Sequence, residues 1–261
     1  MGANVGPDIY FLNFLRAGMT IHGGHEVMLH EAWAGATYFG ASNHTQSEAG
    51  SVAIEVLGND HILSDIIIFG GQTGVLCNGG ANLIEGVHTW NDATHAPSPG
   101  HGIIVDSTQS VRVVAVYLDF TALRLVDPVH ISVVDSFFLG MGTIVVAAGS
   151  KGTVDGLMIM DNTFANYNMP HNQTVVIDER NASFSRPPAD MIMLGNVGSN
   201  TMAARAVTVT KSVSLKSATR FEFSFANDFV FPNQDIVDVQ YSIQIDSDAE
   251  GGGARTQTIL V

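Results

Sequence analysis

Residues 122–146 read "ALRLVDPVHISVVDSFFLGMGTIVV". The stretch holds short apolar bursts separated by Asp, Pro, Ser or Gly, and it closes in the form with which it opens. Ala122 and Thr143 are each followed by apolar residues at the second and fourth places. Alternation in steps of two is the signature of a strand with one buried face. No helical pattern fills the 21 residues between the two openings. The fold therefore turns on whether this short, helix-free unit recurs.

It recurs in both directions. "AIEVLGNDHIL" from Ala53, "GVLCNGGANLI" from Gly74, "GIIVDSTQSVR" from Gly102, "ALRLVDPVHIS" from Ala122 and "TIVVAAGSKGTV" from Thr143 stack without gaps over their first halves. The steps are 21, 28, 20 and 21 residues, and the insertion "NDATHAPSPG", residues 91–100, accounts for the long one. A looser copy, "GMTIHGGHEVML" from Gly18, precedes the insertion at residues 34–50. The first column is small: Ala53, Gly74, Gly102, Ala122 and Thr143. The second and fourth are apolar, Ile54, Val75, Ile103, Leu123 and Ile144, then Val56, Cys77, Val105, Leu125 and Val146. Between them, facing outward, stand Glu55, Leu76, Ile104, Arg124 and Val145. Each unit goes on to a second apolar strand, "DIIIF", "GVHTW", "VAVYL", "DSFFL" or "GLMIM".

Units this short cannot be βαβ crossovers, which need a helix. Stacked about 4.8 Å apart, each strand pairs with its equivalent in the next unit, and one continuous core is buried. The expectation is an all-β, right-handed parallel β-helix over residues 1–168. From residue 169 the period is lost. "RAVTVTKSVSL", "RFEFSFANDFVF" and "VDVQYSIQID" alternate as amphipathic strands, which predicts a C-terminal antiparallel β cap or small sandwich over residues 169–261. The opening, "DIYFLNFLRAGMTI", reads as the middle of a fold and predicts further N-terminal coils.

Composition narrows the function. A net charge of −14 with only 11 Lys and Arg argues against nucleic acid, whose phosphates need clustered cations. No apolar run approaches the roughly 18–20 residues of a membrane-spanning helix, so no membrane is expected as a partner. Cys77 is the lone cysteine, excluding an internal disulfide, and it reads as a small buried hydrophobe. The sequons at Asn43, Asn172 and Asn181 would accept glycans in a secreted protein.

The segments "NDHILSDIIIFGGQTGVLCNGGANLIEGVHTWNDAT", "YLDFTALRLVDPVHISVVDSFFLG" and "ATRFEFSFANDFVFPN" resemble the Quartet-type plant polygalacturonases. These are related to glycoside hydrolase family 28 within the pectin-lyase-like superfamily. The resemblance implies a secreted, cell-wall or extracellular hydrolase of α-1,4-galacturonan in pectin, inverting and without cofactor. An acidic polysaccharide would be its partner, and a monomer is expected. Of the four elements of the family-28 pattern, Gly100-His101-Gly102 matches the third. Leu123-Arg124-Leu125-Val126 matches the fourth in its arginine, with Val126 in place of lysine. Gln72-Thr73 stands where an Asp-Asp pair is expected, and no Asn-Thr-Asp occurs.

An inverting glycosidase needs an acid and a base roughly 6.5–9.5 Å apart. Asp119 closes a strand three residues before Ala122, near the strand entrance of His101, and is the first candidate for the acid. Asp92, in the inserted loop, would lean over the same edge and is the further catalytic candidate. Against both stands a turn carboxylate capping backbone N–H groups. His101 would hold the geometry of the acid. Arg124, outward between Ile104 and Val145, suits a galacturonate carboxylate, against a snorkelling surface arginine. Trp90 suits sugar stacking, against anchoring the loop beside it and His88. His61, Asn82, Ser110 and His130 read as one structural turn ladder, with Asp127-Pro128 nearby. The ten histidines show no zinc spacing and the outward column no acidic cluster for calcium, so no metal is expected. The alternative is a catalytically inactive polysaccharide-binding or structural β-helix, favoured by Gln72-Thr73.

Overall fold

The computed structural model describes residues 2–35, 50–90, 101–140, 142–165, 177–178, 183–198 and 207. Among these the regular elements are all strands, and their ladders are all parallel. One sheet stacks Ala17–Ile21, Val52–Val56, Thr73–Cys77, His101–Asp106, Ala122–Val126, Ile144–Ala147 and Ile177–Asp178. A second face stacks Leu83–Glu85, Arg112–Val114, Ser132–Val134, Met158–Met160 and Ile192–Leu194. The third stacks His88–Trp90, Tyr117–Asp119, Phe137–Leu139, Thr163–Ala165 and Val197–Gly198. Ile62–Phe69 bends across both of the latter, pairing Leu83–Glu85 with its first half and His88–Trp90 with its second. The chain is a parallel β-helix.

Its core is the repeat made physical. The register Ile54, Val75, Ile103, Leu123, Ile144 runs unbroken from strand to strand, and all five side chains are fully buried. The outward register Glu55, Leu76, Ile104, Arg124, Val145 matches the sequence stack residue for residue. The corner between the second and third faces is a column of left-handed residues. Glu31, Asp65, Ala115, Asp135 and Asp161 have φ of 49°, 52°, 50°, 53° and 55°, with Gly86 and Gly195 in the same place. That conformation costs an ordinary residue on the order of 1–2 kcal/mol. It is held by the ladder itself: Ala115 N–H donates to Val134 O at 3.1 Å and Asp161 N–H to Leu194 O at 3.0 Å.

Three registers differ from the sequence stack. In the column of small residues, Ala122 pairs with His101, because the ladder shifts at Gly102. Gly102 is small because a Cβ there would come within 2.5 Å of the hydroxyls of both Thr121 and Thr89. Those hydroxyls hydrogen-bond each other at 2.7 Å inside the coil.

The turn ladder also divides. Cys77 pairs Val105 and Leu83 pairs Arg112, yet Leu83 follows Cys77 by six positions and Arg112 follows Val105 by seven. The extra residue lies in the turns holding Ser107 and Asp127, at φ 56° and 46°. Ser110 and His130 therefore join Asp60 and Ala81 in an outer column of left-handed residues, at φ 60°, 50°, 59° and 55°. His61 and Asn82 lie one position inward and are fully buried.

The same one-residue slip affects the second strands. Trp90 pairs with Asp119, not Leu118, and "GLMIM" belongs to the second face rather than the third. In a strand, such a slip exchanges the inward and outward faces.

The parallel ladder also continues beyond residue 168, into the stretch where the sequence loses its period and an antiparallel cap is expected. Val145 pairs Asp178, Met158 pairs Ile192 and Thr163 pairs Val197. The step from Met158 to Ile192 is 34 residues, and that long step hides the period. The three amphipathic segments expected to form the cap, and the sequons at Asn43, Asn172 and Asn181, lie outside the described residues.

Candidate functional site

On the third face, alternation points His88 and Trp90, then Tyr117 and Asp119, then Phe137 and Leu139 outward. Thr89, Leu118 and Phe138 fill the core between them. Trp90 and Asp119 are ladder partners, one strand spacing of about 4.8 Å apart. His88 pairs with Tyr117, so His88 and Asp119 are diagonal neighbours, with Cα atoms roughly 8 Å apart by strand geometry. The His88 and Tyr117 rings stack flat, 4.3 Å between centroids and within 1° of parallel. Tyr117 in turn meets Phe137 edge-on at 5.1 Å. This aromatic clamp fixes the orientation of the imidazole.

The clamp leaves an electrostatically tense pair. Among the described residues, Asp119 Oδ1 and His88 Nε2 are buried with no hydrogen-bond partner. Burial pushes the Asp119 carboxyl above the usual carboxylate range, and His88 only partly pulls it back. Burial likewise holds the His88 imidazole below its ordinary range, against the attraction of Asp119. The Tyr117 hydroxyl is raised, by burial first and then by the Asp119 charge. A carboxyl whose hold on the proton is raised is better suited than an ordinary one to donating it to a leaving oxygen.

The other candidates distribute around this pair. His101 opens its strand rather than preceding it, with Thr73 on one side and Ala122 on the other; its N–H donates to Gln72 O at 2.9 Å. Since Asp119 lies three residues before Ala122, His101 and Asp119 border the edge where the third face turns into the first sheet. Arg124 stands on the first sheet, outward between Ile104 and Val145. Asp92 and Gly100 lie outside the described residues. The structure thus brings Trp90 to Asp119, sets His101 at the neighbouring edge, and leaves Arg124 on the adjoining face.

The sequence reading passed over His88 and Tyr117 as partners of Asp119. The available signal was the shared out-in-out form of "HTW" and "YLD".

Gln72, Cys77 and Asp127 are engaged in hydrogen bonds within and between turns. Gln72 side-chain Oε1 accepts from Gly50 N–H, and its own N–H donates to Ser51 Oγ at 3.1 Å, so it ties the preceding turn. Cys77 Sγ donates to Gly79 O and accepts from Asn82 Nδ2, both at 3.4 Å, and burial pushes its thiol up, away from nucleophilic use. Asp127 caps backbone N–H groups of the next coil.

The chain is 29% identical over 227 residues to Polygalacturonase QRT3 of Arabidopsis thaliana, a match covering 87% of this chain. It spans about half the length of that relative, 46% of it. No family model matches, and no solved structure matches. By fold and by this similarity, the chain is related to a polygalacturonase, in the family-28-like relationship that its repeat segments resemble.

Proposed function

We propose that this β-helix belongs to a polygalacturonase-type glycoside hydrolase that cleaves the α-1,4-galacturonan of cell-wall pectin, outside the cell and by inversion. The observation that carries the reading is Asp119. Its carboxyl is half-buried, burial raises its hold on the proton, and it faces outward beside Trp90 in a chain related to a polygalacturonase. In this mechanism Asp119 gives its proton to the glycosidic oxygen as the bond to the anomeric carbon breaks. A water, deprotonated by a second carboxylate, attacks that carbon from the opposite face. Asp92 is the candidate for this base. Trp90 stacks against a sugar ring, Arg124 pairs with a galacturonate carboxylate on the adjoining face, and His101 supports the edge on which the acid stands.

The test is release of reducing ends from polygalacturonate by the full-length protein and by its Asp119→Asn variant. Loss of the proton donor is expected to lower kcat by about 10²–10⁴-fold while binding is retained. Binding without hydrolysis in the wild type refutes the hydrolase reading, and undiminished activity in the variant removes Asp119 from the mechanism. The second reading, a non-catalytic polysaccharide-binding module, is favoured by Gln72. At the place where related enzymes carry aspartate, its side chain is spent on the backbone of Gly50.

A further inference from the structure

We propose that His88 is the positioning residue of the Asp119 site: its imidazole, clamped flat on Tyr117, stands diagonally across the ladder from Asp119, and the two act as one proton-holding pair. The catalytic consequence rests on the function proposed above; the pairing itself does not.

The geometry carries the argument. His88 and Asp119 project from adjacent strands on the same outward face, one strand across and two residues along. The imidazole cannot turn away without breaking its 4.3 Å stack on Tyr117, which Phe137 braces from the far side. Each side chain buries one polar atom, Nε2 and Oδ1, that has no partner among the described residues. Leaving such an atom unsatisfied costs about 1–3 kcal/mol, so two of them on diagonal neighbours are a feature that stability does not account for.

The other outward groups around the pair leave few alternatives. Tyr117 is ionisable but neutral at any physiological pH. Ile67 and Phe69 on the preceding strand do not titrate, nor do Phe137 and Leu139 on the following one. His101, at the edge where the third face turns into the first sheet, is a further titratable side chain nearby; on the third face itself His88 is the neighbour whose charge answers that of Asp119, and each favours the charged form of the other. Protons then leave the pair in coupled steps. When Asp119 has given up its proton, the His88 imidazole is suited to stabilise the half-buried carboxylate left behind.

The test follows the imidazole of His88 by NMR titration in the wild type and in Asp119→Asn, alongside kcat–pH profiles of the wild type and His88→Phe. Phenylalanine keeps the ring stack and removes the charge. His88 is expected to titrate at lower pH in Asp119→Asn than in the wild type, because the attraction that raises it is gone. In His88→Phe the alkaline limb of kcat is expected to move to higher pH, because Asp119 holds its proton longer. An unchanged His88 titration in Asp119→Asn overturns the proposal, as does lower activity in His88→Phe with an unmoved limb. If the wild type proves inactive, the hydrolase reading fails while the His88 titration still decides the pairing.

Discussion

Replacing Asp127 by alanine tests how the turns of this β-helix are held. Asp127 is fully buried. Its Oδ1 accepts from the N–H groups of Gly149 at 2.8 Å and Thr153 at 3.1 Å, and its Oδ2 accepts from Lys151 N–H at 2.8 Å. Burial alone would raise this carboxyl, but the backbone donors prevail and hold it below the usual carboxylate range. A hydrogen bond to a charged acceptor contributes about 1.5–3 kcal/mol. Three simple losses would overstate the effect, since Ser150 and Lys151 are exposed and water can reach part of the freed loop. A loss of about 3–5 kcal/mol is expected for Asp127→Ala, and about half of that for Asp127→Asn, which keeps a single acceptor oxygen. Because stability in a solenoid is local, the assay is native-state hydrogen exchange rather than a global melt. The Lys151 amide should exchange about 150–4,000-fold faster in the alanine variant, one factor of ten for each 1.4 kcal/mol. Since the folded carboxyl is depressed, its contribution is complete above the unfolded value near 3.9 and disappears as pH falls through the folded one. Unchanged exchange at Lys151 and Thr153 in Asp127→Ala would refute the reasoning.

The buried His61 predicts an acid-sensitive core. Its Nδ1 accepts from Val27 N–H at 3.1 Å and burial lowers its proton affinity, with Asp60 opposing and His25 adding to the shift. Its contribution is therefore intact above about pH 6.5 and is lost as pH falls through its lower folded value; the urea midpoint should drop from pH 7 to pH 5, and less so in His61→Gln. Arg124→Gln should raise KM for polygalacturonate by about 10–100-fold, the loss of a charge-assisted hydrogen bond, and leave kcat nearly unchanged. A matching fall in kcat would show that Arg124 acts in the transition state instead of in binding.

The repeat was legible because burial dictates it. Every inward position of Ile54, Val75, Ile103, Leu123 and Ile144 must be apolar, so the columns that build the core are columns of like residues in the text. Outward positions carry no such requirement, and the turns are free to gain residues. One additional residue between Val105 and Arg112 suffices to separate Ser110 from Asn82, and an equal slip in the next strand sets Leu118 where Asp119 stands. The spacing rule of strands turns that small error into a large one, because a single step exchanges the core face for the solvent face. Asp119 could be picked out as the charged residue closing a strand, and Trp90 as the aromatic beside the insertion, but their pairing could not. His88 was harder still: its role follows from its diagonal relation to Asp119 and its stack on Tyr117, neither of which exists until the coil closes. The site was obscured for the reason that the fold was plain. Core positions repeat and so announce themselves, whereas a candidate proton donor such as Asp119 occurs once, on the face where repetition imposes nothing.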